Sequence, residues 1–314
     1  MRLTSKPSPG TPYARRRGLT LIELLIVLVL LGVVAGGMLG IVARQQQFYT
    51  GNAGIIETRG SVRQGLTVLQ GVLRTISPKN RDIYSMGRTF IELREPTGSS
   101  VICQFGATRN VIVLPPATLS AGTGLTSWLA PPQVGDSVVI YDSGRKVGTA
   151  DDTWDPNDVI VAPIAGATCP TTTGFTTTPA EAAAGWTITL RNTLASTVLQ
   201  GAAVRFFRRA RYELFQASDG LWYLGMRDCM TGPTAASCSG LTAITGPFLP
   251  AATTGPSGLE LTYYDVTGAV TTDPTQVRRI DIVLRARSAS EVNTPGRPRG
   301  IYQDSLATSV TVRN

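Results

Sequence analysis

Histidine is absent from the 314 residues, and with it goes the commonest general base, proton shuttle and metal ligand. Most hydrolase and zinc mechanisms lose their usual tools. The sequence also lacks a Gly-x-Ser-x-Gly elbow, a phosphate-cradling glycine loop and a tight Cys-x-x-Cys pair, so neither a cofactor nor a metal is expected and the chain does not read as an enzyme. Charge is sparse at 16% of residues, and the first 18 residues contain no acid at all. Five of the 29 basic residues, Arg2, Lys6, Arg15, Arg16 and Arg17, lie there; without them 24 basic residues face 21 acidic ones, and the formal charge of +8 falls to +3. A generic electrostatic case for nucleic acid therefore weakens.

Uncharged sequence, by contrast, is plentiful near the amino terminus. Residues 24–42 carry no charge, and at about 1.5 Å per residue they match the thickness of a bilayer core. Three arginines precede this run and only Arg44 follows closely, which places the amino terminus in the cytoplasm and the remainder outside it. A cleaved secretory signal is the competing reading. The run is longer than a signal core, and Val34-Ala35-Gly36 makes a poor small-x-small site. Glu23 also argues against it, since an acid at the start of a span is costly and calls for a partner.

Gly18-Leu19-Thr20-Leu21-Ile22-Glu23-Leu24-Leu25, preceded by the three arginines, resembles the processing site of type IV prepilins and type II secretion pseudopilins. The resemblance implies that a prepilin peptidase cuts between Gly18 and Leu19, that an N-methyltransferase modifies the new amine of Leu19, and that the span is retained in the inner membrane. It also implies a role for Glu23, whose carboxylate lies four residues from that amine and neutralises it, within one subunit or between neighbours, in a low-dielectric bundle. Leu19 departs from the phenylalanine usual after the cut. Gly32, Gly36 and Gly40 recur every four residues and offer a face for close helix packing, although glycine is common in spanning helices generally.

Past the span, Phe48, Ile55, Val62, Leu69 and Ile76 fall every seven residues, with Leu66 and Leu73 beside them. This is one apolar face of an amphipathic stem. Glycines 51, 54, 60, 65 and 71 predict a bent or interrupted helix before Ser77-Pro78 ends it. From there the pattern turns to short strands, at 89–94, 100–105, 110–114, 137–141, 159–164 and 186–191, a hairpin of 204–215 with 221–227, a pair of 259–266 with 277–287, and a last strand at 306–313. The expected architecture is α+β: a leader at 1–18, a transmembrane and stem helix at 19–77, and a β-rich exported domain at 78–314. Segments 165–185 and 231–256 read as exposed insertions.

Three further constellations stand out. Cysteines 103, 169, 229 and 238 all lie beyond the apolar run, as suits an oxidising compartment, and allow two disulfides in three connectivities. Cys229 and Cys238 flank a short polar loop that a disulfide would staple, leaving Cys103 for Cys169. Asp151, Asp152, Asp155 and Asp158 form an acidic loop that could hold calcium but whose spacing favours a solvated turn. Arg205, Arg208, Arg209 and Arg211, interleaved with Phe206, Phe207 and Tyr212, could hold DNA; in a strand, however, Arg205, Arg209 and Arg211 share one face and would serve as a solvated edge, the reading that ranks first.

The order of the carboxyl-half segments, Ala210-Arg211-Tyr212-Glu213-Leu214, Leu221-Trp222-Tyr223-Leu224, Gly258-Leu259-Glu260-Leu261 and Thr311-Val312-Arg313-Asn314, resembles the PilW group of minor pilins more closely than the J-type pseudopilins. The resemblance implies minor and major pilins as partners.

Overall fold

The computed structural model describes residues 21–313 apart from 121, 123, 147, 150, 231–236 and 293–297. The leader, Gly18 and Leu19 lie outside the described residues. A single helix, α1 (Leu21–Leu73), is followed by β1 (Ile83–Met86), β2 (Phe90–Val101), β3 (Gln104–Phe105), β4 (Val111–Leu114), β5 (Ser127–Trp128), β6 (Ser137–Asp142) and β7 (Thr153–Ala167). Then come a short helix α2 (Pro179–Ala182), β8 (Gly185–Leu190), β9 (Ala203–Gln216), β10 (Trp222–Met230), β11 (Ser237–Phe248), β12 (Leu259–Tyr264), β13 (Arg279–Val292) and β14 (Gly300–Thr311). The strands join in the order β12-β13-β11-β10-β9-β6-β7-β8-β4-β3, with β14 on β13, β2 on β9, and β1 and β5 on β2. The fold is α+β: a long apolar helix followed by a β-rich antiparallel domain.

The helix is continuous over 53 residues, so the stem glycines do not interrupt it. They serve packing instead. Gly51, Thr58, Ser61 and Gly65 are buried and, with Gly54, recur at three- and four-residue steps along one face. A β-carbon on Gly65 would sit 2.8 Å from Leu284 Cδ1, and one on Gly54 3.1 Å from Val292 Cγ2. The sheet therefore approaches the helix backbone directly, and Ser61 Oγ donates to the Gly246 carbonyl at 2.7 Å. Further along, Val62, Leu66, Leu69 and Leu73 enter the core, each stabilising by roughly 1.5–3 kcal/mol. Of the expected heptad face, Phe48 is half exposed and Ile55 only partly buried.

Two hydrophobic cores share β9. Its even-numbered residues face inward, but Ala210, Tyr212 and Leu214 pack into the helix-bound core whereas Val204 and Phe206 pack into a second one built on β4, β6, β7 and β8. Arg208 stands between them and is neutralised by Asp136 through a paired contact, Nε to Oδ1 at 2.9 Å and Nη2 to Oδ2 at 2.8 Å. On β2 the same division is made by a bulge between Pro96 and Gly98. Proline donates no ladder hydrogen bond, and the extra residue shifts the inward parity from Ile91 and Leu93 to Ser100 and Ile102. The second core thus forms a distal lobe whose chain leaves at Val101 and returns at Ala203, two residues paired in register.

Glu95 lies at this seam and accepts from Tyr212 Oη at 3.1 Å. Burial pushes its carboxyl above the ordinary range, with the nearby Asp228 adding to the effect. An acid raised in the folded state loses stability as pH rises from its unfolded value of about 4.3 through its folded one. Glu95→Gln keeps the acceptor and removes the charge. Its melting temperature is expected to exceed the parent's at pH 7, with the gain shrinking toward zero near pH 4 in paired thermal scans; a gain independent of pH would contradict this account.

Two stretches that read as insertions contain regular elements among their described residues. Within 231–256 lies β11, whose Ser, Thr and Gly content hid it, and Cys229 pairs with Cys238 directly across β10 and β11, joined by a disulfide with a Cα separation of 3.9 Å. Within 165–185, a disulfide joins Cys169 to Cys103, and α2 begins with a reciprocal cap between Thr178 and Glu181. Glu181 also accepts from the backbone N–H groups of Ser120 and Thr177, in that order the main reasons its carboxyl is held well below the usual range.

Candidate functional site: the amino-terminal helix

From Leu21 to Thr50 every helix residue is exposed, so about 45 Å of helix projects beyond the folded domain. It is the one candidate span among the described residues, and none of its apolar window is buried. Side chains such as Leu31 and Leu39, 62% and 70% exposed, would each forfeit on the order of 2 kcal/mol in water. Such a surface requires lipid or other helices around it. A helix in lipid also satisfies its own backbone groups, which makes it one of the two structures able to cross. The helix therefore points to anchoring in a membrane.

Glu23 occupies the first turn of the described helix, where the helix dipole favours an anion. Four residues before it is Leu19. Gly32, Gly36 and Gly40 lie on the projecting half, and a β-carbon at any of them would meet nothing within 4 Å. Their face is open in the protomer. Anchoring and docking thus divide the helix at about Gly51: the lipid-compatible half precedes it, and the half seated on β11, β13 and β14 follows it. Arg59 and Gln70 fix that seat from the rim, Arg59 Nε donating to Asp304 and Tyr302 at 3.2 Å each and Gln70 Nε2 to Thr308 at 2.5 Å.

The other sequence candidates resolve differently. The arginines of β9 are not a free edge, because β2 flanks that strand on one side and β6 and β10 on the other. They are not an open polyanion surface either. Arg208 pairs with Asp136, Arg209 with Glu92 and Arg211 with Glu213, while Arg205 lies over the Trp154 ring at 4.5 Å. The acidic segment is spread along β7 and its approach. Asp151 accepts from the backbone N–H groups of Arg145 and Lys146, Asp152 from Tyr141 Oη, and Asp158 pairs with Arg191. These carboxylates do not converge; among the described residues the group that does is Glu92 with Cys229 and Cys238, and both sulfurs are held in a disulfide. The small-residue stripe on the helix escaped the sequence reading because an apolar count passes over Gly, Ser and Thr, although their three- and four-residue spacing carries the signal.

Residues 13–39 match the prokaryotic N-terminal methylation motif. No curated protein and no solved structure matches the chain. The motif covers the three arginines, the Gly18-Leu19 pair, Glu23 and most of the projecting apolar helix. It supports a type IV pilin-like or pseudopilin protein with a membrane-anchoring helix.

Proposed function

We propose that the chain is a prepilin of the PilW-like minor pilin kind, which enters type IV pili alongside other minor and major pilins and helps to start or sustain their assembly. The observation that carries this reading is the methylation motif on a helix whose first 30 described residues are all exposed and whose remainder is seated on a β domain. One such helix can serve two environments in turn. Lipid surrounds it before assembly, and the helices of neighbouring subunits surround it afterwards, so moving from one to the other exposes no apolar surface to water. Prepilin peptidase cuts after Gly18 on the cytoplasmic face, the amine of Leu19 is methylated, and residues 78–314 lie in the periplasm or on the fibre.

Mass spectrometry of the mature protein tests the processing directly. The expected amino terminus is an N-methylated Leu19; a chain beginning near Gly37 would instead identify a discarded signal and end the filament reading. A type II secretion pseudopilin shares the same motif, and the order of the carboxyl-half strands, with the resemblance it carries, supports the pilus branch. Deleting the gene is expected to remove or sharply reduce surface pili while leaving secreted enzymes at parental levels. The converse pattern assigns the chain to secretion.

A further inference from the structure

A groove runs between the helix-bound lobe and the distal lobe, across the outer face of β9. One part, of about 520 Å³, is bounded by the loop after α1 (Ser77, Asp82), by Arg94 and by Trp154 on β7. A second part, of about 390 Å³, continues past Pro96 to Leu129. Thr75, Arg205, Phe207 and Arg313 line both parts and so mark their junction.

Two of the groove's arginines, Arg205 and Arg313, lie at that junction, and Arg94 lies in the first part. Arg94 is neutralised by Asp82 at 2.6 Å and covers the ring of Phe207 at 4.5 Å. Arg205 and Arg313, both exposed, have no carboxylate within ion-pair distance among the described residues. Neither position is loose. Arg205 is braced by its stack on Trp154, itself held edge-on by Tyr141 at 5.6 Å, and Arg313 follows buried Val312 and hydrogen-bonds through its backbone to Ile76 at 3.1 Å. A guanidinium stacked on a ring keeps its N–H edge free, and that edge matches a carboxylate in two-point contact. Beyond the junction the wall is apolar, with Pro96 and a Leu129 side chain that is 89% exposed.

We propose that this groove binds an extended peptide carrying a carboxylate beside an apolar side chain, the carboxylate between Arg205 and Arg313 and the apolar group on the Leu129 shelf. A single-stranded nucleic acid fits less well. Stacking of bases needs open aromatic faces and a run of unpaired cations, whereas Phe207 and Trp154 are each covered by an arginine and the acids Asp152 and Asp155 flank Trp154.

The test uses the full-length chain in detergent and fluorescence anisotropy of labelled peptides: Ser-Leu-Asp-Leu-Ser with a blocked carboxyl end, its Asn counterpart, the Asn peptide with a free carboxyl end, and an oligothymidylate. At least one carboxylate-bearing peptide is expected to bind about tenfold or more tightly than the blocked Asn peptide, as a charge-assisted contact requires. Whether the Asp or the free-end peptide wins tells a side-chain carboxylate from a terminal one. Arg205→Gln and Arg313→Gln, both at exposed positions, are each expected to weaken that binding about fivefold or more with an unchanged melting temperature. Equal binding of the charged and neutral peptides, no binding of any, tighter binding of oligothymidylate, or indifference to both substitutions would overturn the proposal.

Discussion

Glu23→Ala is expected to leave cleavage between Gly18 and Leu19 intact and to lower incorporation of the subunit into filaments about tenfold or more. On the proposed reading, cleavage is indifferent because a peptidase acting on the cytoplasmic side meets the carboxylate before it has a cation to neutralise. Incorporation is sensitive because, on the same reading, the cut creates a cation at Leu19 that then enters a bundle of apolar helices. Leaving one charge of a desolvated pair without its partner costs about 3–5 kcal/mol, and each 1.4 kcal/mol is about tenfold in an equilibrium. Glu23→Gln, which keeps the shape and removes the charge, should fail nearly as badly, whereas Glu23→Asp should recover part of the loss. Immunoblots of sheared filaments against the membrane pool measure both quantities in one experiment. Parental levels of incorporation in Glu23→Ala would refute the neutralising role.

The second large effect is expected at Gly65. Its would-be β-carbon lies 2.8 Å from Leu284 Cδ1 and 3.4 Å from both Phe248 Cζ and Thr245 Cγ2, so a leucine there must push the sheet off the helix. Overpacking of this kind costs about 1–3 kcal/mol and at times more, against a gain of at most about 1 kcal/mol in helix propensity. Because the clash involves β11 and β13 together, Gly65→Leu should fall at the upper end, roughly 3 kcal/mol, or on the order of 6–12 °C in melting temperature for a domain of this size. Gly71 supplies the control. It is exposed and a β-carbon there meets nothing within 4 Å, so Gly71→Ala is expected to stabilise by up to about 1 kcal/mol. If the two glycines responded alike in thermal scans, the close-approach account of Gly65 would be wrong.

These two glycines also show where the sequence was informative and where it was not. The apolar helix, its stem and most strands are legible because each follows from a local rule: an uncharged run, a seven-residue recurrence, or an alternation such as Ile280, Ile282 and Leu284. Which glycines bend a helix and which seat it is a question about the other surface, and nothing near Gly65 in the chain refers to Leu284. The division of β9 was hidden for a similar reason. Its alternation from Val204 to Leu214 is interrupted only at Arg208, and the local pattern names an inward face without revealing that the residues on either side of that arginine serve two cores. Arg208 reads as part of a surface basic cluster because its partner, Asp136, lies 72 positions away in the chain. The groove between the lobes is non-local throughout, since Thr75, Arg205 and Arg313 come from three separate parts of the sequence. The methylation motif is the opposite case, being carried wholly by consecutive residues.

The register pairing of Val101 with Ala203 has a consequence for how such a chain can change. Everything between these neighbours leaves and rejoins a pre-existing ladder at adjacent rungs, and the hydrophobic contacts it needs are mostly among its own strands. A chain segment joined in this way can be lengthened, replaced or reduced to a turn while the helix keeps its seat on β13 and β14. The limits on such change are the contacts that cross back to the helix-bound lobe, the ladder of β6 on β9, the short pairing of β5 on β2 and the Asp136–Arg208 pair.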